Sequence, residues 1–471
     1  MQERSRSTSG KTEVKHLMKI ALPVTLGQLG HISVGVADSM MLGRLGSVEL
    51  AASTIGLSVF IPFMMLGIGV SYGLSPLVAR ADGENNHTGI TSILKHGFLL
   101  NIAFGLLLSI SLWGGASYLR FLNQPVEIID YTIVYFQWLA ASLVPFMVYQ
   151  SLKQFSEGLG IAKPAMLISL SGNLLNIVLN YLFIFGKMGM PAMGVEGAGI
   201  TTLMSRIYMA AMMFAYIRWN RRFALYIKSL KNTTLQWIEM GALSKISFPI
   251  GIQMSFETGA FGFAAIMAGW LGTTEIAAHQ IALNLAAITY MAATGLASAA
   301  TVRVGYGFGR RAPELIQRSG ATALWMVLVF MLCNAALFMI FRSWLPTLYI
   351  ADEEIIAMAS SLLLITAFFQ LSDGVQCVSL GILRGIGDVR LPTVIALLAY
   401  WIIGLPVGYW LAFSKGYGIT GIWYGFLIGL SIAAVLFIYR FRSKIHAMTG
   451  TRTTSELSPE NADSAMFDTR S

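Results

Sequence analysis

Three carboxylates, Asp38, Glu257 and Asp373, lie inside long apolar segments of a 471-residue chain that otherwise keeps its charges mainly at the ends of such segments. A carboxylate in hydrocarbon costs about 2.5 to 3.5 kcal/mol even on lenient insertion scales, so membrane proteins retain one mainly where it binds or relays something. That placement points to an ion-coupled transporter. Gln253 and Glu257 are four residues apart, and Gln370, Asp373 and Cys377 follow at helical spacing, so each set shares one helix face. At about 1.5 Å per residue, Glu257 stands roughly 21 Å from Leu243 and Asp373 roughly 15 Å from Leu383, depths that fit one site. Two facing carboxylates repel, and a bound Na⁺ or a shared proton relieves the repulsion. Glu257 and Asp373 are therefore the candidate Na⁺ ligands. Gln280 and Asn284 offer further oxygens, and Tyr290 a hydroxyl or a cation–π face. The competing reading is that each acid is neutralised by a polar neighbour, protonated, or snorkelling to an interface.

Asp38 shares a helix face with Gln28, His31 and Gly35. Arg206, inside the sixth apolar segment, is a candidate structural partner for it. Asn173, Asn176 and Asn180 form one stripe on the fifth segment, which either solvates a cavity around Asp38 or serves only to hydrogen-bond helices together.

These side chains must be positioned by membrane helices, since 55% of the residues are hydrophobic and only 12% are charged. Twelve apolar stretches of about 20 residues are centred near Gly30, Leu66, Phe104, Leu143, Leu175, Ala210, Phe256, Leu285, Leu328, Phe368, Trp401 and Leu430. The expected fold is an all-α polytopic membrane protein. The first stretch, from Leu17 to Leu42, is too long for a signal-peptide core and is expected to remain as a helix. An even number of spans puts both termini on one side. Of the 32 Lys and Arg, 26 fall on the terminal side, five on the opposite side (Arg44, Arg120, Lys187, Arg342 and Lys415) and one, Arg206, within a segment. Positive loops stay inside, so both termini are expected in the cytoplasm. Orientation thereby explains the net charge of +9 without a nucleic-acid partner.

An internal repeat divides the chain. A shift of 226 residues superposes Leu17, Lys19, Ile20 and Pro23 on Leu243, Lys245, Ile246 and Pro249, and then Gly43, Leu45, Gly46 and Glu49 on Gly269, Leu271, Gly272 and Glu275. Six helices per copy make the repeat parallel, with sites between or within the lobes near mid-membrane. The expected layout is a tail over 1–14, a six-helix lobe over 15–217, a basic linker over 218–242 that lets the lobes rock, a second lobe over 243–444 and a tail over 445–471. The polar ends, to about Glu13 and from about Met448, are expected to be disordered. Pro23 and Pro249, equivalent in the repeat, are the expected kink points. The acids break the repeat, for Glu257 corresponds to His31 and Asp38 to Ala264.

Other chemistries find little support. Cys333 and Cys377 are too few for a disulfide framework or a metal cluster. There is no phosphate-binding loop, metalloprotease helix pair or nucleophile elbow, so an ATPase or another enzyme is not expected. The 25 methionines and 54 aromatic residues suit a cavity for unlike hydrophobic molecules, although most must face lipid or neighbouring helices.

Several stretches resemble the multidrug and toxic compound extrusion family, in its NorM-like bacterial branch. They are ALPVTLGQLGHISVGVADSMMLGRLG around Pro23 and Asp38, GNLLNIVLNYLFIFG, FETGAFGFAAIMAGWLGTTEIAAHQIALN, ATVRVGYGFGRR and FQLSDGVQCVSLGILRGIGD, within a resemblance running from about residue 15 to 440. The resemblance implies a V-shaped twelve-helix antiporter that expels cationic or amphipathic drugs against Na⁺ or H⁺. It places the coupling cation at Glu257 and Asp373, with Tyr290 facing bound cation or drug and Asp38 in the N-lobe cavity. Phe369 departs from the tyrosine that the family often carries there, which removes a hydroxyl and leaves Na⁺ or H⁺ open, with Na⁺ favoured. The expected partners are drugs or organic cations and the lipid bilayer, no cofactor is expected, and the chain is expected to act as a monomer. A flippase for lipid-linked sugars or peptidoglycan precursors is the alternative. Such a carrier of pyrophosphate calls for a cavity lined by Arg and Lys rather than by acids.

Overall fold

The structure, a computed structural model, describes residues 10–122 and 124–456. The parts of the expected tails before residue 10 and after 456 lie outside these described residues. Lipid offers no partner to a free N–H or C=O, so long apolar segments satisfy their backbone internally as helices. The long helices are α1 (Gly10–Gly43), α2 (Ser47–Gly83, with a break at Gly73), α3 (His87–Leu122), α4 (Val126–Gly158), α5 (Lys163–Phe185) and α6 (Gly194–Trp219) in the first half. The second half has α7 (Trp237–Leu271), α8 (Thr273–Gly309), α9 (Pro313–Phe341), α10 (Glu353–Gly385), α11 (Arg390–Ser414) and α12 (Gly418–Glu456). All twelve expected segment centres fall within them. Eleven are long and apolar enough to cross a membrane by length and composition. The other, α7, has 35 residues, and its centre is diluted by Gln253, Glu257 and Thr258.

The two lobes repeat the same helix pairings. In the first lobe α1 packs on α5, α2 and α3 on α4, and α6 on α4 and α5. In the second α7 packs on α11, α8 and α9 on α10, and α12 on α10 and α11. The lobes meet through α1 against α8 and α2 against α7, which are equivalent pairs under the repeat. Small residues permit that contact. A Cβ added to Gly69 would sit 2.5 Å from the Gly251 Cα, and one added to Gly309 would strike the Arg80 carbonyl. Helices without side chains at the crossing bring their backbones together, as in membrane helix pairs generally. These approaches lie toward the end of the molecule where α1 begins and α12 ends, and there Leu17 of α1 and Ile445 of α12 share one core cluster. The lobes therefore converge at that end.

Two expectations about disorder and looseness need correction. Helix α1 begins at Gly10, and Glu13, placed by its polar neighbourhood in a disordered tail, is fully buried. Its carboxylate accepts from Arg303 Nε at 2.7 Å, from Arg303 Nη2 at 2.9 Å and from Ser319 Oγ at 2.7 Å. Likewise α12 continues to Glu456 rather than fraying at Met448. The basic stretch between the lobes is docked rather than free. Its short helix Ala224–Ser229 buries Phe223 and Tyr226 against the first lobe. Lys95 Nζ donates to the Thr233 carbonyl at 2.6 Å, and the Gln236 N–H donates to His96 Nε2 at 2.9 Å.

The Glu13–Arg303 pair crosses between lobes, which makes it testable. Glu13→Gln leaves a buried guanidinium without its counter-charge and should cost about 3 to 5 kcal/mol, whereas Glu13→Leu with Arg303→Met should recover much of that loss. Thermal-shift midpoints of the purified variants check this, and a Glu13→Gln midpoint equal to that of the wild type would show the pair to be dispensable.

Candidate functional site: a cavity shared by the two lobes

Between the lobes lies one cavity of about 590 Å³, bounded by α1, α2, α4, α5 and α6 on one side and α7, α8 and α10 on the other. Asp38, Glu257 and Asp373 all line it. Around them the wall is apolar and adaptable, with Met64, Met65, Met209, Met254 and Met291 among its residues. These are five of the chain's 25 methionines, so most methionines do pack elsewhere. Cys377 also lines the cavity, while Cys333 is exposed, and both thiols are free.

On the second-lobe wall the structure brings Glu257, Asp373 and Tyr290 together. Glu257 Oε1 accepts a hydrogen bond from the Tyr400 hydroxyl at 2.9 Å, with Gln253 and Tyr290 beside it. Tyr400 was not singled out by the sequence. It lies in α11 within a wide π-helical stretch, Leu398–Gly404, a distortion common at functional sites. Asp373 is 5% exposed, and its Oδ1 has no hydrogen-bond partner. A turn away on α10, both side-chain polar atoms of Gln370 are buried and unpartnered. Hard cations take oxygen ligands, and this wall holds carboxylate, amide and phenol oxygens. No group of three or more His, Cys, Asp or Glu suited to a metal occurs among the described residues.

Gln280 and Asn284 do not join this site. They are exposed, do not line the cavity, and pair with each other at 3.3 Å. The ten residues from Gln280 to Tyr290 amount to about 15 Å along α8 and about 80° of rotation, so the two cannot share a short-range site. Phe369, where the resemblance would place a tyrosine, lines the cavity and packs edge-on against Trp423 at 5.4 Å.

On the first-lobe wall Asp38 is held by Asn180 rather than by Arg206. Asn180 Nδ2 donates to Asp38 Oδ1 at 2.5 Å and lies 3.2 Å from Asn176 Oδ1, while the Thr201 hydroxyl donates to Asn180 Oδ1. Asn180 thus sits behind Asp38, whereas Asn173, Asn176, Gln28 and His31 line the cavity themselves. The expected Asp38–Arg206 contact is replaced by other partners for the guanidinium. Arg206 Nη1 donates to Ser142 Oγ at 2.7 Å, and its centre lies 4.5 Å from the Phe146 ring, an attractive cation–π geometry. His31 packs edge-on against the same ring at 5.9 Å, and Gln28 Nε2 donates to the Tyr72 hydroxyl at 3.2 Å. Pro23 and Pro249 both lie inside their helices, α1 and α7. The Thr393 hydroxyl bonds the Pro249 carbonyl at 3.1 Å, tying α11 to α7 at that position.

The chain is 33% identical over 439 residues to the probable multidrug resistance protein NorM of Idiomarina loihiensis, covering 92% of this chain and 95% of that one. It is also 33% identical to the multidrug resistance protein MdtK of Yersinia pestis, covering 91% and 95%. Among solved structures, an outward-facing multidrug resistance MATE family transporter of the MOP superfamily superposes with a TM-score of 0.85 at 22% identity, covering 93% of this chain and 96% of that one. The eukaryotic MATE transporter AtDTX14 does so with 0.83 at 20%, covering 93% and 98%. These two establish the fold alone. The MatE family model matches twice, over residues 23–182 and 249–410. The two matches begin on Pro23 and Pro249, the equivalent prolines of the repeat. The chain belongs to the MatE family.

Proposed function

We propose that this chain is a secondary multidrug efflux antiporter that exports cationic or amphipathic small molecules in exchange for Na⁺, or for H⁺. The observation that carries the reading is a cavity between two repeated lobes, with carboxylates on both walls. The names of the NorM and MdtK relatives support the multidrug part. In this reading Glu257 and Asp373 hold the coupling cation with Tyr290 and Tyr400 beside it, and Asp38, set by Asn180, attracts the cargo. With the termini in the cytoplasm of a bacterial inner membrane, the convergence of the lobes at that end makes this the outward-open state. Rocking of the lobes about the α1–α8 and α2–α7 contacts would then present the cavity to the other side, with Pro23 and Pro249 as points of bending.

Drug leaves and ion enters through the same cavity in turn. A monovalent ion crossing the whole membrane gains about 2.3 kcal/mol per 100 mV, which is the driving force available for export. Expression in a pump-deficient bacterial strain should give ethidium efflux that falls when the Na⁺ or proton gradient is collapsed. Efflux that persists without either gradient would contradict the exchange, and absence of efflux would contradict the substrate class.

A further inference from the structure

The terminus-ward floor of the cavity has a character opposite to that of its acidic walls. Arg384, in the last turn of α10, lines the cavity, and its Nε is buried without a hydrogen-bond partner. Its Nη2 meets only the amide oxygen of Gln253, at 3.3 Å. No carboxylate among the described residues lies within ion-pair distance of it, although Glu257 is within electrostatic reach. Two further donors on the floor are unpartnered: Gln154 Nε2 and Ser75 Oγ, on residues 2% and 3% exposed, which also line the cavity. Backbone packing brings these elements together, since a Cβ added to Gly305 would lie 3.1 Å from the Pro76 carbonyl and 3.4 Å from the Gly385 carbonyl. Tyr72, at the centre of this floor, feels Lys153, Glu157 and Arg384. Lys153 and Glu157 offset each other at 3.9 Å and do not line the cavity. One net positive charge and two neutral donors therefore remain without acceptors.

Buried polar groups in native structures are nearly always satisfied, so three orphaned donors on residues of one cavity floor mark a place where an acceptor arrives. We propose that Arg384, with Gln154 and Ser75, forms an anion subsite that takes the carboxylate of a zwitterionic cargo. The cationic part of that cargo faces the acidic walls. Arg is suited to this because its planar fork meets a carboxylate with two parallel hydrogen bonds. The proposal rests on the drug-cavity reading above and deepens it by naming the residues that hold the carboxylate of such a cargo.

A matched pair of dyes tests it. Rhodamine 110 is a zwitterion with a free carboxylate, and rhodamine 123 is its methyl ester, a cation on the same ring system. Binding to the full chain in lipid nanodiscs is read by fluorescence polarisation. The wild type should bind both. Arg384→Gln should weaken rhodamine 110 about tenfold or more while rhodamine 123 stays within about twofold or tightens, because only the first loses a charge-assisted hydrogen bond. Arg384→Lys, which keeps the charge without the fork, should fall between. Retained rhodamine 123 binding shows that the variant is folded. A wild type that binds neither dye overturns the drug-cavity reading itself. A wild type that binds the ester but not the acid, or an Arg384→Gln that binds both as the wild type does, overturns the anion subsite alone. Equal loss of both dyes by Arg384→Gln and Arg384→Lys would also overturn it.

Discussion

Glu257→Gln and Asp373→Asn, each made singly in proteoliposomes, are expected to lower ion-driven dye efflux about tenfold or more, a loss of roughly 1.4 kcal/mol of coupling or beyond. Both substitutions keep the side-chain shape, so the fold should hold. In Glu257→Gln the amide oxygen can still accept from the Tyr400 hydroxyl. What disappears is the anionic charge that a monovalent cation needs when it leaves water. The two acids line one cavity, and Asp373 Oδ1 is buried without a hydrogen-bond partner. They should therefore act as a unit, and the double variant should be little worse than either single one, because groups in one network are not additive. Full ion-stimulated efflux by either single variant would show that the pair is not the coupling site.

Asp38→Asn should have an effect of similar size on cationic cargo by a different route. The wild-type first-lobe wall carries Asp38 and Arg206, both lining the cavity and opposite in charge. Removing the carboxylate leaves the Arg206 guanidinium unopposed on that wall, and a cationic drug is then repelled rather than drawn in. The fold should tolerate the change, since an asparagine oxygen can accept from Asn180 Nδ2 as Asp38 does and a neutral residue lowers the cost of insertion. Dye efflux should fall about tenfold, with the thermal midpoint unchanged. Normal efflux by Asp38→Asn would reduce Asp38 to a residue that braces α1 against α5.

The sequence made the helices, the lobes and the principal acids legible because a membrane allows few alternatives. Backbone in lipid must be helical, a repeat in register must give repeated pairings, and a buried acid must have a reason. Rotation and distance were less legible. Gln280 and Asn284 have the right atoms but face away from the acids, and only the packing of α8 sets that rotation. The residues that were missed pair across long stretches of chain. Tyr400 reaches Glu257 across 143 residues, and Glu13 meets Arg303 across 290. Nothing near Tyr400 distinguishes it from the chain's other sixteen tyrosines. The polar neighbours of Glu13 read as a disordered tail, while its burial is decided by α8 and α9 of the other lobe. Arg206 was matched to Asp38 by charge alone, and Ser142 and the Phe146 ring proved to be its contacts.

The central claim is that drug and ion exchange through one cavity, and thermodynamic reciprocity gives its most direct measurement. If an ion gradient drives drug export, a drug gradient must drive ion movement the other way. Purified protein in sealed proteoliposomes, with equal Na⁺ and equal pH on both sides, is given an outward or inward gradient of ethidium, and ²²Na⁺ flux and internal pH are followed. The account predicts net movement of Na⁺, or of protons, against the direction of ethidium flow, absent in the Glu257→Gln and Asp373→Asn double variant. Ethidium movement with no ion flux in the opposite direction would contradict it.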